Sequence, residues 1–140
     1  MKRAIAAVLV VLALAACGQA GPKGTPSPKG AKVYFIEPKN GAEVSSPVAV
    51  KFGIEGMEVA PAGTEKANTG HHHVLIDTAL GDVHAPLPAD ETHVHFGKGQ
   101  TEASLPLKPG KHTLQLVLGD ANHVPHDPPV VSEVITVMVK

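Results

Sequence analysis

Three short segments of this chain carry the residues that could do chemistry. They are Gly70-His71-His72-His73-Val74-Leu75-Ile76-Asp77, His93-Val94-His95-Phe96 and His123-Val124-Pro125-His126-Asp127. The chain has nine histidines, and all of them lie between His71 and His126. A neutral imidazole nitrogen is a good donor to Zn, Cu, Ni and Fe at neutral pH. In a strand, alternate residues share a face, so His71 and His73 point together with Leu75 and Asp77, while His72 points the other way with Val74 and Ile76. His93 and His95 share a side in the same manner. Two histidines at i and i+2 stand roughly 6.5–7 Å apart along a strand, close enough to converge on one ion. Two His-x-His strands side by side would present four imidazoles, a sensible shell for Zn or Cu(II). His123 and His126 sit in a loop stiffened by Pro125, Pro128 and Pro129, which lowers the cost of holding a ligand in place. Asp77, Asp120 and Asp127 are candidate ligands, or acceptors that fix a ring tautomer.

The other histidines read differently. His84 stands alone in a Pro-rich loop, as a surface residue. His112 continues the Leu114, Leu116, Leu118 face at its outer end and reads as structural. His72 reads as a core histidine with a hydrogen-bond partner. A second use of the cluster needs no metal. Imidazoles with an ordinary pKa near 6.5 would charge together in mild acid and repel, making the module acid-labile.

These residues need elements to position them. Short apolar runs alternate with Gly/Pro punctuation, which predicts β structure. Strands are expected at Lys32 to Glu37, Pro47 to Ile54, His71 to Asp77, around His93 to Phe96, after Thr101, at Lys111 to Leu118, and at Val130 to Val139. Thr78 to Thr92 contains Pro86 and Pro88 and is expected to be irregular. The spacing predicts an all-β, immunoglobulin-like antiparallel sandwich of about seven strands.

Composition bounds the rest. Met1-Lys2-Arg3 followed by the apolar run Ala4 to Ala16 reads as a signal peptide, because a spanning helix needs about 20 apolar residues. Leu14-Ala15-Ala16-Cys17 resembles the bacterial lipobox, which implies cleavage before Cys17 and acylation of its sulfur and new amino terminus. With Gly18 rather than Asp after the cysteine, the expected location is the outer membrane, facing the periplasm. Cys17 is the only cysteine, so no disulfide forms within the chain and a blue-copper site, which needs a thiolate, is excluded. The expected organisation is a signal peptide over residues 1–16, a lipidated Cys17 with a flexible Gly/Pro/Lys tether over residues 17–31, and one domain over residues 32–140. Without Lys2 and Arg3 the twelve basic residues fall to ten, against thirteen acidic ones. A mildly acidic chain with 3% aromatic residues disfavours nucleic-acid binding.

Enzyme signatures are weak. Gly-x-Ser-x-Gly, His-Glu-x-x-His and a phosphate-cradling loop are all missing, and Gly97-Lys98-Gly99 reads as a tight turn. Three stretches together carry a family resemblance: Gly-His-His-His-x-Leu-Ile-Asp, His-x-His-Phe-Gly-Lys-Gly-Gln-Thr-Glu, and Pro-Gly-Lys-His-Thr-Leu-Gln-Leu-x-Leu-Gly-Asp-x-x-His-x-Pro-His-Asp-Pro-Pro. Over nearly all of Val33 to Val139 the chain resembles an uncharacterised domain-of-unknown-function family of bacterial exported proteins and lipoproteins. That resemblance implies an exported β-rich domain and supplies no activity.

The leading expectation is therefore an envelope lipoprotein binding Cu or Zn through His71, His73, His93, His95, His123 and His126, for capture, buffering or delivery. The alternative is a non-catalytic interaction or scaffold module, partnered with an envelope protein, whose histidines form a structural network. A metal-dependent enzyme is the third class.

Overall fold

The computed structural model describes residues 23–140. The signal peptide and Cys17 expected from the sequence lie outside these residues. Among the described residues there is no helix, and nine strands form two sheets. They are β1 (Lys32–Glu37), β2 (Glu43–Val44), β3 (Val48–Glu55), β4 (Glu58–Val59), β5 (Thr69–Ile76), β6 (His93–His95), β7 (Glu102–Leu105), β8 (Gly110–Gly119) and β9 (Ile135–Val139). The smaller sheet has the order β1-β3-β7. The larger has the order β2-β9-β8-β5-β4, with β6 also pairing with β5.

Period-two alternation explains the layers. In β3, Val48, Val50 and Phe52 are buried while Ala49 and Lys51 face out. Val33 and Phe35 of β1 join them, and Lys32–Glu55 and Lys51–Glu37 ion pairs dress the exposed face. Such exposed pairs contribute little to stability. Across the core stand Val74 of β5, Leu114, Leu116 and Leu118 of β8, and Val137 and Val139 of β9. Fully burying each Leu is worth about 1.5–3 kcal/mol. Phe52 sits at the centre, 6.0 Å from Phe35 and 5.2 Å from Phe96 between ring centroids.

The all-β sandwich expected from the sequence is the observed architecture. Its pairing is not wholly antiparallel, because the two-residue strands β2 and β4 run parallel to β9 and β5. The expected strand Val130 to Val139 is also shorter, beginning at Ile135. The Ser132 hydroxyl explains the break. It accepts the Leu116 N–H at 2.8 Å and donates to the Glu133 carbonyl at 2.7 Å, displacing the regular ladder.

β5 is the strand that carries the histidine triplet. All eight of its residues are buried, and it lies between β8 on one side and β6 and β4 on the other. The stretch expected to be a flexible tether over residues 17–31 differs in its described part. Thr25 to Ser27 is hydrogen-bonded to the loop between β8 and β9, with Pro26 bridging Asp127 in parallel. Backbone and hydroxyl groups rather than apolar side chains fasten it.

Candidate metal centre

The parity of β5 divides the histidine triplet. His72 points into the core against Phe52, with ring centroids 4.9 Å apart, as its place beside Val74 and Ile76 predicts. The hydrogen-bond partner expected for it is missing: both ring nitrogens are buried and unpartnered. His71 and His73 point to the opposite face, each 1% exposed.

On that face, four imidazoles from three separate parts of the chain meet. β6 runs antiparallel to β5 with His95 opposite His73, which brings His95 to the pair. The loop after β8 supplies His123. One ring nitrogen from each of His71, His73, His95 and His123 lies within 4.8 Å of all the others. His71 Nε2 stands 2.9 Å from His73 Nε2 and 3.0 Å from His123 Nδ1. His71 Nε2 carries either one N–H or one lone pair, so without a metal it makes one of these two N–H···N hydrogen bonds, and the tautomers decide which. At a metal–nitrogen distance of about 2.0–2.1 Å, neighbouring ligands stand about 2.9 Å apart in a square and about 3.3–3.4 Å apart in a tetrahedron. These two pairs thus already have the spacing of a square edge.

Glycines make room for the rings. A Cβ at Gly119 would stand 2.7 Å from His73 Nε2, and one at Gly97 would strike the His95 ring. Loop contacts fix the outer histidines. Ala62 N–H donates to the Gly97 carbonyl at 2.9 Å and Gly63 N–H to the Ala121 carbonyl at 3.1 Å, so one loop ties together the turns flanking His95 and His123. His123 takes a left-handed φ of 65°, held by its N–H on the Asp120 carbonyl at 2.9 Å and its carbonyl accepting the Leu87 N–H at 2.8 Å. A non-glycine residue held in that region costs of order 1–3 kcal/mol, which the surrounding structure must offset.

The electrostatics favour neutral rings. Burial first, then the neighbouring His95 and His123, push His71 down to about 4. Burial, followed by His71, His95 and His123, pushes His73 down to about 3. His95 is lowered for the same two reasons, burial and then His123. A metal must compete with protons for each nitrogen, and on these rings protons compete poorly at neutral pH. Asp120 opposes the trend on His71 as a nearby anion. A donor set of four imidazoles, with space cleared by two glycines, fits a borderline transition-metal ion.

The remaining sequence candidates lie elsewhere. His93 stands opposite Leu75 and turns its Nδ1 to Asp90 Oδ1 at 2.8 Å and Thr92 Oγ1 at 2.9 Å. His126 is buried with Nε2 3.1 Å from the Thr69 carbonyl and Nδ1 3.3 Å from the Leu118 carbonyl, stapling the start of β5 to the end of β8. His112 is structural, as expected, with Nδ1 2.6 Å from Asp77 Oδ2 and Nε2 2.7 Å from the Lys108 carbonyl. His84 is exposed. Asp77 and Asp120 are engaged with His112 and with loop amides, and the cluster contains no carboxylate. The sequence marks Gly97 only as part of a tight turn and does not mark Gly119, and neither is announced as a neighbour of the cluster. Their only signal was a glycine two residues after His95 and another at the end of a strand.

Neither a curated protein nor a solved structure matches the chain. The model of the family described as a domain of unknown function, DUF4399, matches residues 50–140 and so takes in all four clustered histidines. The chain belongs to the DUF4399 family.

Proposed function

We propose that this protein is a cell-envelope lipoprotein, anchored through Cys17, that binds copper or zinc at His71, His73, His95 and His123 for capture, buffering or delivery. The observation that carries the reading is the approach of four ring nitrogens, from β5, β6 and the loop after β8, to within 4.8 Å of one another. The two inner ligands are buried while His95 is exposed, so an ion reaches the site from outside and leaves by the same way. Copper(II) is the preferred ion. The nitrogen–nitrogen separations of 2.9 and 3.0 Å suit a tetragonal set, and the general affinity order places Cu(II) above Zn(II). The lipobox supports the anchor and the outer-membrane, periplasm-facing location.

The test is calorimetric titration of the full chain with Cu(II) and with Zn(II). Saturable one-to-one binding is expected, with nitrogen hyperfine structure in the Cu(II) electron paramagnetic resonance spectrum. His95→Ala weakens it and His93→Ala leaves it unchanged. Absence of saturable binding for both ions refutes the reading.

One observation favours a second reading, a scaffold module with a structural histidine network. Either the 2.9 or the 3.0 Å ring contact can form as an N–H···N hydrogen bond and satisfy two ring nitrogens without any ion. That reading requires thermal stability to be indifferent to added metal and to chelator.

A further inference from the structure

Asp120 is 4% exposed and its carboxylate accepts hydrogen bonds from two directions. Oδ1 accepts the N–H groups of Asn122 at 2.9 Å and Val124 at 3.1 Å, the residues on either side of His123. Oδ2 accepts the N–H and the hydroxyl of Thr25, each at 3.0 Å, from 95 residues away in sequence. The same N-terminal segment continues along the loop. Asp127 N–H donates to the Thr25 carbonyl at 3.0 Å, Ser27 N–H to the Asp127 carbonyl at 3.1 Å, and Ser27 Oγ to the Pro128 carbonyl at 2.7 Å. Gly24 is buried against Pro125, so closely that a Cβ there would collide with the Pro125 carbonyl oxygen. Gly24 to Ser27 is thus a strap laid over the loop that carries His123.

We infer that this strap is a positioning device for the metal site: Thr25, through Asp120, holds His123 in ligating position, and lifting the strap releases that ligand. The inference rests on the reading of the four histidines as a metal site. The physical reason is the left-handed backbone at His123. That conformation persists only while its surroundings over-determine it. The Asp120 carboxylate supplies the local half of the restraint. The strap supplies the distant half, by fixing the carboxylate's second oxygen. No strap residue belongs to the four-histidine cluster, so the strap acts entirely through His123. The N-terminal segment then regulates loading: a strap in place gives a four-nitrogen site, and a strap displaced gives a three-nitrogen site with a free position. Linkage makes the effect reciprocal, so metal binding tightens the strap.

The test uses the full chain with Gly24→Ala, which expels the strap by collision, and Thr25→Val, which removes only the hydroxyl donor and preserves shape. His123→Ala sets the effect of losing the ligand. Two readouts are taken, Zn(II) affinity by calorimetry and amide hydrogen exchange at Asn122 and Val124 without metal. Gly24→Ala is expected to weaken Zn(II) about ten- to a hundred-fold, the range for losing an outer support of a metal ligand. Exchange at the two amides should rise about ten-fold or more. Adding Gly24→Ala to His123→Ala should weaken Zn(II) no further, because both act on one ligand. Thr25→Val should show the same trends at smaller size, and it decides the matter if Gly24→Ala does not fold. The inference is overturned if the strap variants bind Zn(II) within about two-fold of wild type, or if the losses in the double variant add. Should the wild-type chain show no saturable metal binding, the proposed function falls. The exchange readout then decides the strap by itself, and unchanged exchange at Asn122 and Val124 overturns it.

Discussion

Replacing His72 with Leu should make the protein more stable, and increasingly so in mild acid. His72 is fully buried, packs on Phe52, and leaves both ring nitrogens without partners. A buried polar atom without a partner costs about 1–3 kcal/mol, and Leu has nearly the same bulk without that penalty. Loss of the ring contact with Phe52 offsets part of the gain, leaving about 1–2 kcal/mol at pH 7. A pH-dependent part adds to it. Burial pushes the His72 ring from 6.5 down to about 4. The stability that comes from keeping this ring neutral is complete above pH 6.5 and is lost as the pH falls from there toward 4. Between pH 7 and pH 5, linkage gives a loss of about 2 kcal/mol in the wild type that the Leu variant does not share. The advantage of His72→Leu should thus grow to about 3–4 kcal/mol at pH 5. Urea unfolding at the two pH values measures both parts, with a midpoint shift of roughly 1 M at pH 7 for a typical slope. Metal affinity should not change, since the ring faces away from the cluster. A variant that is no more stable at pH 7, and whose stability falls with pH as steeply as that of wild type, would refute the reasoning.

Three further outcomes follow from the geometry. Gly119→Ala should lower Zn(II) affinity by about ten-fold or more, since its Cβ would press on His73 Nε2; equilibrium dialysis measures it, with circular dichroism confirming the fold. His112→Gln should have the opposite pH signature to His72→Leu. His112 is raised above 6.5 by its hydrogen bonds to Asp77 and then Lys108, so its contribution is present below pH 6.5 and lost as the pH rises through the folded value. The stability gap between wild type and His112→Gln should be wider at pH 5.5 than at pH 9 in parallel urea titrations. Zn(II) or Cu(II) at about a hundred times Kd should add about 2.7 kcal/mol of stability, read as a rise in melting temperature that a chelator reverses.

The face assignments were legible because they depend only on strand parity. His71 and His73 together, His72 opposite with Val74, and the Leu114, Leu116, Leu118 stripe all follow from a period of two. The choice among outer histidines was not legible. His93 and His95 share a side, but the register with β5 places His95 against His73 and His93 against Leu75. That register is fixed by hydrogen bonds such as Phe96 N–H to the His72 carbonyl and Ile76 N–H to the Thr92 carbonyl, which no local pattern announces. His123 and His126 are separated by backbone shape in an irregular loop. One is turned toward the cluster by its left-handed φ and the other is buried between two backbone carbonyls. The strap was illegible for a related reason. Glycine, threonine and serine dock here through main-chain and hydroxyl hydrogen bonds, and a segment without apolar periodicity gives a reader no sign of docking.

The consecutive triplet His71-His72-His73 has a consequence for how the chain finds its native pairing. Sliding β5 by one residue against β8 and β6 would turn two imidazoles into the apolar core and leave one on the face of the proposed metal site. An ion held by both His71 and His73 therefore rewards only the correct alignment, and a slipped strand forfeits it. Metal present during folding would act as a proofreader of strand alignment, selecting the one arrangement in which odd-numbered imidazoles face outward.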